Sequence, residues 1–181
     1  MSKFTAAEVV SFWRDAGPQR WFEKDEEFDR TIRLRFLAIH EKAARGELAS
    51  FEDSAEGALA LVILLDQMPR NMFRRSPHAF ATDPLAREVA KRAIARGFDQ
   101  ATDETMRPFF YMPFMHSEAL ADQDRCVALH EAFGDAGRSK YATFHRDIIA
   151  KFGRFPHRNQ VLGRDTTPAE REFLDAGGFA G

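Results

Sequence analysis

Between Lys151 and Asp165 the chain reads KFGRFPHRNQVLGRD, which puts Arg154, His157, Arg158, Asn159 and Arg164 into one short turn-rich stretch. Guanidinium forks match carboxylate and phosphate oxygens two at a time. A second polar group is His116-Ser117-Glu118. There an imidazole and a carboxylate two residues apart could act as an acid–base pair, with His157 as a third proton carrier. The same trio lies at an expected helix start, where free N–H groups favour an anion. The third group, Asp66-Gln67 with Arg70-Asn71, ends the most apolar helix of the chain.

Two further polar residues fall on stripes that should be apolar. At about 100° per residue Arg35 lies between Phe28 and Ile39 in the seam of its helix. His145 projects from the middle of a stripe formed by Tyr141, Phe144, Ile148 and Phe152. Each has an ordinary explanation. Arg35 can snorkel or pair structurally, His145 can be a hydrogen-bonded core histidine, Asp66 can cap or pair, and Ser117 and Glu118 suit a helix start. Their number, with arginines at hand, favours one shared polar pocket, in which residues 151–165 reach toward Asp66 and Glu118.

Other chemistries lack their residues. His116, Glu118, His145 and His157 have no HExxH spacing or Cys/His cluster around them, so no metal and no cofactor is expected. No GxSxG occurs, and Cys126 sits mid-helix away from an evident base. No Walker or dinucleotide glycine pattern is present.

These residues need helices to position them, and the sequence reads as helices throughout. The first spans about Thr5 to Arg14 and is stopped by Gly17-Pro18. The second spans about Trp21 to Arg45, with seam Phe28, Ile32, Phe36, Ile39 and Ala43, and ends at Gly46. The third, capped by Ser54 and reaching about Met68, is apolar on nearly every side and should be the buried centre. Asp83 caps a fourth, with Pro84 at its first position and Gly97 after it. Residues 107–118 (RPFFYMPFMHSE) form a Pro-punctuated aromatic loop or broken helix. Helices at about Ser117–Phe133 and Ser139–Phe152 follow, then one or two turns over Pro156–Leu162. Thr167-Pro168-Ala169-Glu170 is a capping box that opens a last short helix. The expectation is an all-α, single-domain antiparallel helix array over residues 1–181.

Composition limits the partners. The 181 residues carry a net charge of −2, which excludes a general nucleic-acid binder. The longest apolar run, Ala58 to Leu65, is less than half of the ~20 residues a membrane span needs. The opening stretch lacks a signal-peptide core. Eighteen Phe against 2 Trp and 2 Tyr supply core rings without polar handles. A single cysteine, Cys126, fits a reducing cytoplasm.

The order of these blocks resembles a bacterial family catalogued as domain of unknown function 924. The resemblance rests on Val10-Ser11-Phe12-Trp13, Trp21-Phe22, Phe28-Asp29 with Arg35-Phe36, and Leu65-Asp66-Gln67-Met68-Pro69-Arg70-Asn71. It continues through Pro113-Phe114-Met115-His116-Ser117-Glu118, Gln123, and Gly153-Arg154-Phe155-Pro156-His157-Arg158-Asn159 to Leu162-Gly163-Arg164. It implies a tetratricopeptide-like helical superhelix and no established activity. The standard 34-residue repeat signature is missing, so peptide binding does not come with it.

The functional expectation is a pocket for a small carboxylate or phosphate ligand. Its candidate residues are Arg35, Asp66, Gln67, Arg70, Asn71, Ser117, His145, Arg154, Arg158, Asn159 and Arg164. If the protein is catalytic, a hydrolase or lyase reaction would use Glu118, His116 or His157. The alternative is a protein–protein interaction module anchored by exposed rings among Phe109, Phe110, Tyr111 and Phe114.

Overall fold

The computed structural model describes residues 4–179. The protein is all-helical, and among the described residues there is no strand. Two compact units emerge: one runs to Arg74 and takes in His78–Pro113, the other holds Arg75–Pro77 and the chain from Phe114 onward. None of the helices among the described residues is long and apolar enough to cross a membrane.

The first unit contains α1 (Ala6–Phe22), α2 (Glu26–Ala44), α3 (Ala55–Val62), a π-helical segment (Ile63–Gln67), α4 (Met68–Met72) and α5 (Asp83–Ala95). The expected stop at Gly17-Pro18 is a kink rather than an end. Gly17 leaves helical geometry at φ 73°, and the helix resumes from Pro18 to Phe22. The break leaves the Trp13 carbonyl available, and the Trp21 indole donates to it at 2.6 Å. Trp21 therefore belongs to α1, and α2 starts later than expected. Asp25 caps it, accepting from the Glu27 and Phe28 amides at 3.0 Å each.

As expected, α3 and its continuation form the buried centre: every residue from Gly57 to Pro69 is buried. It packs against α1, α5 and the 3₁₀ turn Ala49–Asp53. Gly57 is required at that last contact, because a Cβ there would lie 2.0 Å from the Phe51 carbonyl oxygen.

The π segment follows from Pro69. Proline has no N–H, and its ring collides with the carbonyl four residues back. The chain widens by one residue, and the Met68 amide bonds to Ile63 O instead of Leu64 O. Pro69 has no N–H to give Leu65 O, four residues back, or Leu64 O, five residues back, and side chains reach both carbonyls. His40 Nδ1 lies 2.8 Å from Leu64 O, and the Thr82 hydroxyl donates to Leu65 O at 2.6 Å. This use of Thr82 explains another departure. Asp83 does not cap α5 but is its first residue, and its carboxylate turns to Arg70.

The chain enters the second unit within the short helix α6 (Met112–Met115). There α7 (Leu120–Phe133) and α8 (Ala136–Phe152) pack as a hairpin, joined through Gly134 in the left-handed region at φ 81°. A 3₁₀ turn (Pro156–Arg158) and α9 (Pro168–Asp175) complete it. The capping box of α9 is present as expected. Ile148, Ile149 and Phe155 form the core of this unit, with Phe152, Phe173 and Phe179 packed on it.

Candidate functional site

Five of the candidate residues lie in the first unit. Asp66 is fully buried on the π segment, where Gln67 Nε2 donates to it at 2.5 Å. Arg70 reaches Asp66 at 3.5 Å and forks onto Asp83 at 2.9 and 3.0 Å. It also donates to the Asp66 carbonyl. Asn71 donates to Asp29 at 2.8 Å, and Asp29 also accepts from Arg74. Asp66, Gln67, Arg70 and Asn71 thus join helix ends through one another and through Asp83 and Asp29, so the ordinary pairing explanation describes them.

Arg35 is not in the buried seam. The buried arc of α2 runs from Phe28 through Ile32, Phe36, Ile39 and Ala43 to His40. At about 100° per residue Arg35 falls about 20° beyond Phe28 on the side away from Ile39, so the expected place between the two does not hold. The side chain is exposed and its guanidinium lies 4.7 Å from the Phe12 ring centre and 5.1 Å from that of Phe36. It borders a groove of about 480 Å³ in which Glu8, Asp15, Asp25 and Glu27 outnumber Arg20 and Arg35. That balance disfavours an anion.

The other nine candidates come together in the second unit. Arg164 forks onto Glu118 at 2.7 and 3.0 Å, and donates to Asn159 Oδ1 at 3.0 Å and Phe155 O at 3.1 Å. Glu118 also accepts from the Phe155 amide at 2.8 Å. Arg154 forks onto Glu170 at 2.6 and 2.9 Å, and Asn159 donates to the same carboxylate at 3.1 Å. Asn159 therefore links the two pairs, and residues 154–170 form one continuous network. Burial works to raise the Glu118 pKa, but the Arg164 fork, the Phe155 amide and the nearby charge of Arg158 hold it below the usual range. Glu170 falls to about 2, chiefly through the hydrogen bonds from Arg154.

Ser117 does not cap α7. The helix starts two residues later than the expected Ser117-Glu118 opening, with Ala119 at its cap position. Ser117 Oγ accepts from the Ala119 amide at 3.2 Å and donates to Asp122 at 2.7 Å. Gln123, fully buried, holds the preceding turn by donating to Met115 O and Ser117 O at 2.6 Å each.

Behind this network sits a group of imidazoles. The buried stripe of α8 is Ala142, His145, Ile148 and Ile149, so His145 is at its centre. Tyr141 and Phe144, expected in the seam, are 50% and 43% exposed. His145 and His157 both face the Phe155 ring, at 5.8 and 5.5 Å between centres. Buried Arg158 lies 4.6 Å over the same ring and donates to His116 O at 3.0 Å. Desolvation, then the neighbouring positive charges, push His145 down to about 4 and His157 to about 3. Both are neutral at pH 7. His157 Nδ1 is buried without a hydrogen-bond partner. Buried polar atoms are nearly always paired, and this one shares its lack of a partner with Trp13 Nε1 and Gln123 Oε1.

No set of three or more His, Cys, Asp or Glu side chains among the described residues is arranged to hold a metal. Cys126 is fully buried and its thiol is pushed up to about 12 by desolvation, which makes it inert as a nucleophile.

Three contributors were missed from the sequence. Glu170 was legible only as a capping-box residue, and its role as the Arg154 acceptor needs a contact 16 residues away. His40 and Thr82 serve the π segment, and Pro69 inside an apolar helix was the signal for them.

Comparison with known proteins places these blocks in context. Residues 9–178 match the sequence profile of a family described as bacterial protein of unknown function (DUF924). Among curated proteins none matches significantly. A solved structure, of the protein of unknown function ATU0120 from Agrobacterium tumefaciens, is 50% identical. Its TM-score is 0.92, over 95% of this chain and 97% of that one.

Proposed function

Since the chain belongs to the bacterial DUF924 family, whose function is unknown, its activity must be read from its own residues, and we propose that its second unit binds a small carboxylate or phosphate ligand. The observation that carries this reading is the buried Nδ1 of His157, without a hydrogen-bond partner, in a nest shared with Arg158, His145 and His116. Arg154 and Arg164 are largely occupied by Glu170 and Glu118, so they build the wall rather than receive the ligand. We read the helix hairpin of the second unit as part of a tetratricopeptide-like array. The single buried Cys126 suits a cytoplasmic setting.

Binding fits better than proton transfer. A general acid or base works best with a pKa near the working pH. His145 and His157 lie well below it, and Glu118 is held ionised by its fork with Arg164. The interaction-module reading loses its anchor, because Phe109, Phe110, Tyr111 and Phe114 are all at most 2% exposed.

The test is a thermal-shift screen of the intact protein against inorganic phosphate and a panel of phosphorylated and carboxylated metabolites. A ligand at about 100 times its Kd should stabilise by about 2.7 kcal/mol. That corresponds to a Tm rise on the order of 5–10 °C for a chain of this size. Arg158→Lys and His157→Gln should remain folded by circular dichroism and lose most of the rise. A folded wild type that no anion stabilises would refute the proposal.

A further inference from the structure

The rings around the imidazole nest are arranged about one side chain, Phe179. Its ring centre lies 4.6 Å from His145 and 4.9 Å from His157, at interplanar angles of 67° and 88°. Phe144, Tyr141 and Phe155 stand at 6.1, 6.5 and 6.5 Å. Most of these are edge-to-face contacts, the geometry by which aromatic surfaces hold a ring. The backbone is shaped to deliver that ring. Gly177 adopts φ 81°, and the Gly178 amide turns back to Phe173 O at 2.9 Å. A Cβ on Gly178 would lie 2.5 Å from Phe173 O and 2.6 Å from its ring, so only glycine allows the return.

The cage remains open on one side. Tyr141 and Phe144 are among the exposed large hydrophobic residues, and Phe179 itself is only partly buried. The Phe155 ring is a common wall, with Phe179 and the Arg158 guanidinium both packed on it. An aromatic slot and a cation with an unsatisfied imidazole nitrogen therefore adjoin.

We propose that this cage is a ring-binding subsite of the anion site, that the ligand is an aromatic carboxylate or aryl phosphate, and that Phe179 occupies its ring position in the unliganded protein. The proposal rests on the anion-binding reading above and adds the class of ligand. Phe179 then acts as an internal competitor, and ligand entry requires it to swing out.

The full-length Phe179→Ala variant tests this by calorimetric titration with benzoate and phenyl phosphate. Inorganic phosphate serves as the ringless control and toluene as the chargeless one. Phenyl phosphate should bind Phe179→Ala at least tenfold tighter than it binds wild type, and at least tenfold tighter than inorganic phosphate binds the variant. Adding Arg158→Lys should remove most of that gain. Toluene binding as well as the aryl anions, without dependence on Arg158, would reduce the cage to an ordinary core cavity and overturn the proposal. Phosphate binding to both proteins with no preference for aryl anions in Phe179→Ala would sink the ring subsite alone. No anion binding by either protein would sink the anion site and the subsite together. Phe179→Leu keeps an apolar side chain if the alanine variant fails to fold, and unfolding of both would make the ring a structural element and reject the idea.

Discussion

Replacing Thr82 by Val removes one hydroxyl and keeps the shape, and the structure says what that should cost. The hydroxyl donates to Leu65 O at 2.6 Å, with Thr82 7% and Leu65 2% exposed. The natural helical donor to that carbonyl would be the amide of residue 69, which is proline. Thr82→Val therefore strands a buried acceptor that water does not reach. Such a loss costs about 1–3 kcal/mol. Taking about 2 kcal/mol, Tm should fall by roughly 4–8 °C for a chain of this length. Thr82→Ser, which keeps the donor, should cost under half as much. The sharper check is a double-mutant cycle with Pro69→Ala, read by urea unfolding. An alanine at 69 restores an N–H able to reach Leu65 O. In that background the cost of Thr82→Val should shrink by about 1 kcal/mol or more. Strict additivity, or a Thr82→Val variant as stable as wild type, would refute the account of the π segment as a proline-driven shift mended by side chains.

Acid should destabilise the protein in two stages. His145 and His157 have folded pKa values of about 4 and about 3 against 6.5 unfolded, so their contribution is complete above pH 6.5 and is lost as pH falls toward those values. Each should remove about 1 kcal/mol per pH unit between pH 6 and 4.5. Glu170, depressed to about 2 from 4.5, adds a loss that begins near pH 4.5. Urea midpoints measured from pH 8 to 4 check the order, and His145→Gln should flatten the upper stage. Gly57→Ala should destabilise by about 3 kcal/mol or more, because its Cβ meets backbone rather than a movable side chain. A Tm within 2 °C of wild type would contradict that packing.

The sequence by itself determined the helices and much of their punctuation. Local signals suffice there: the capping box at Thr167, the glycines at 134 and 153 in left-handed geometry, and the unbroken apolar run of α3. It also picked out the polar residues of the second unit, because types that resist burial stand out in apolar stretches, but it pooled them with Arg35, Asp66, Gln67, Arg70 and Asn71, which lie in the first unit. Tertiary structure decided which arginine meets which carboxylate. Arg164 takes Glu118 across 46 residues and Arg154 takes Glu170 across 16, and no local rule ranks such partners. It also decided which edge of a stripe is covered. Tyr141 and His145 lie only about 40° apart on one expected stripe, yet Tyr141 is 50% exposed while His145 sits buried at the centre of its arc. Arg35, by contrast, is set outside its arc by the helical period alone. A helix's period fixes the angles between its residues, but the width and centre of the face it buries are set by what packs against it.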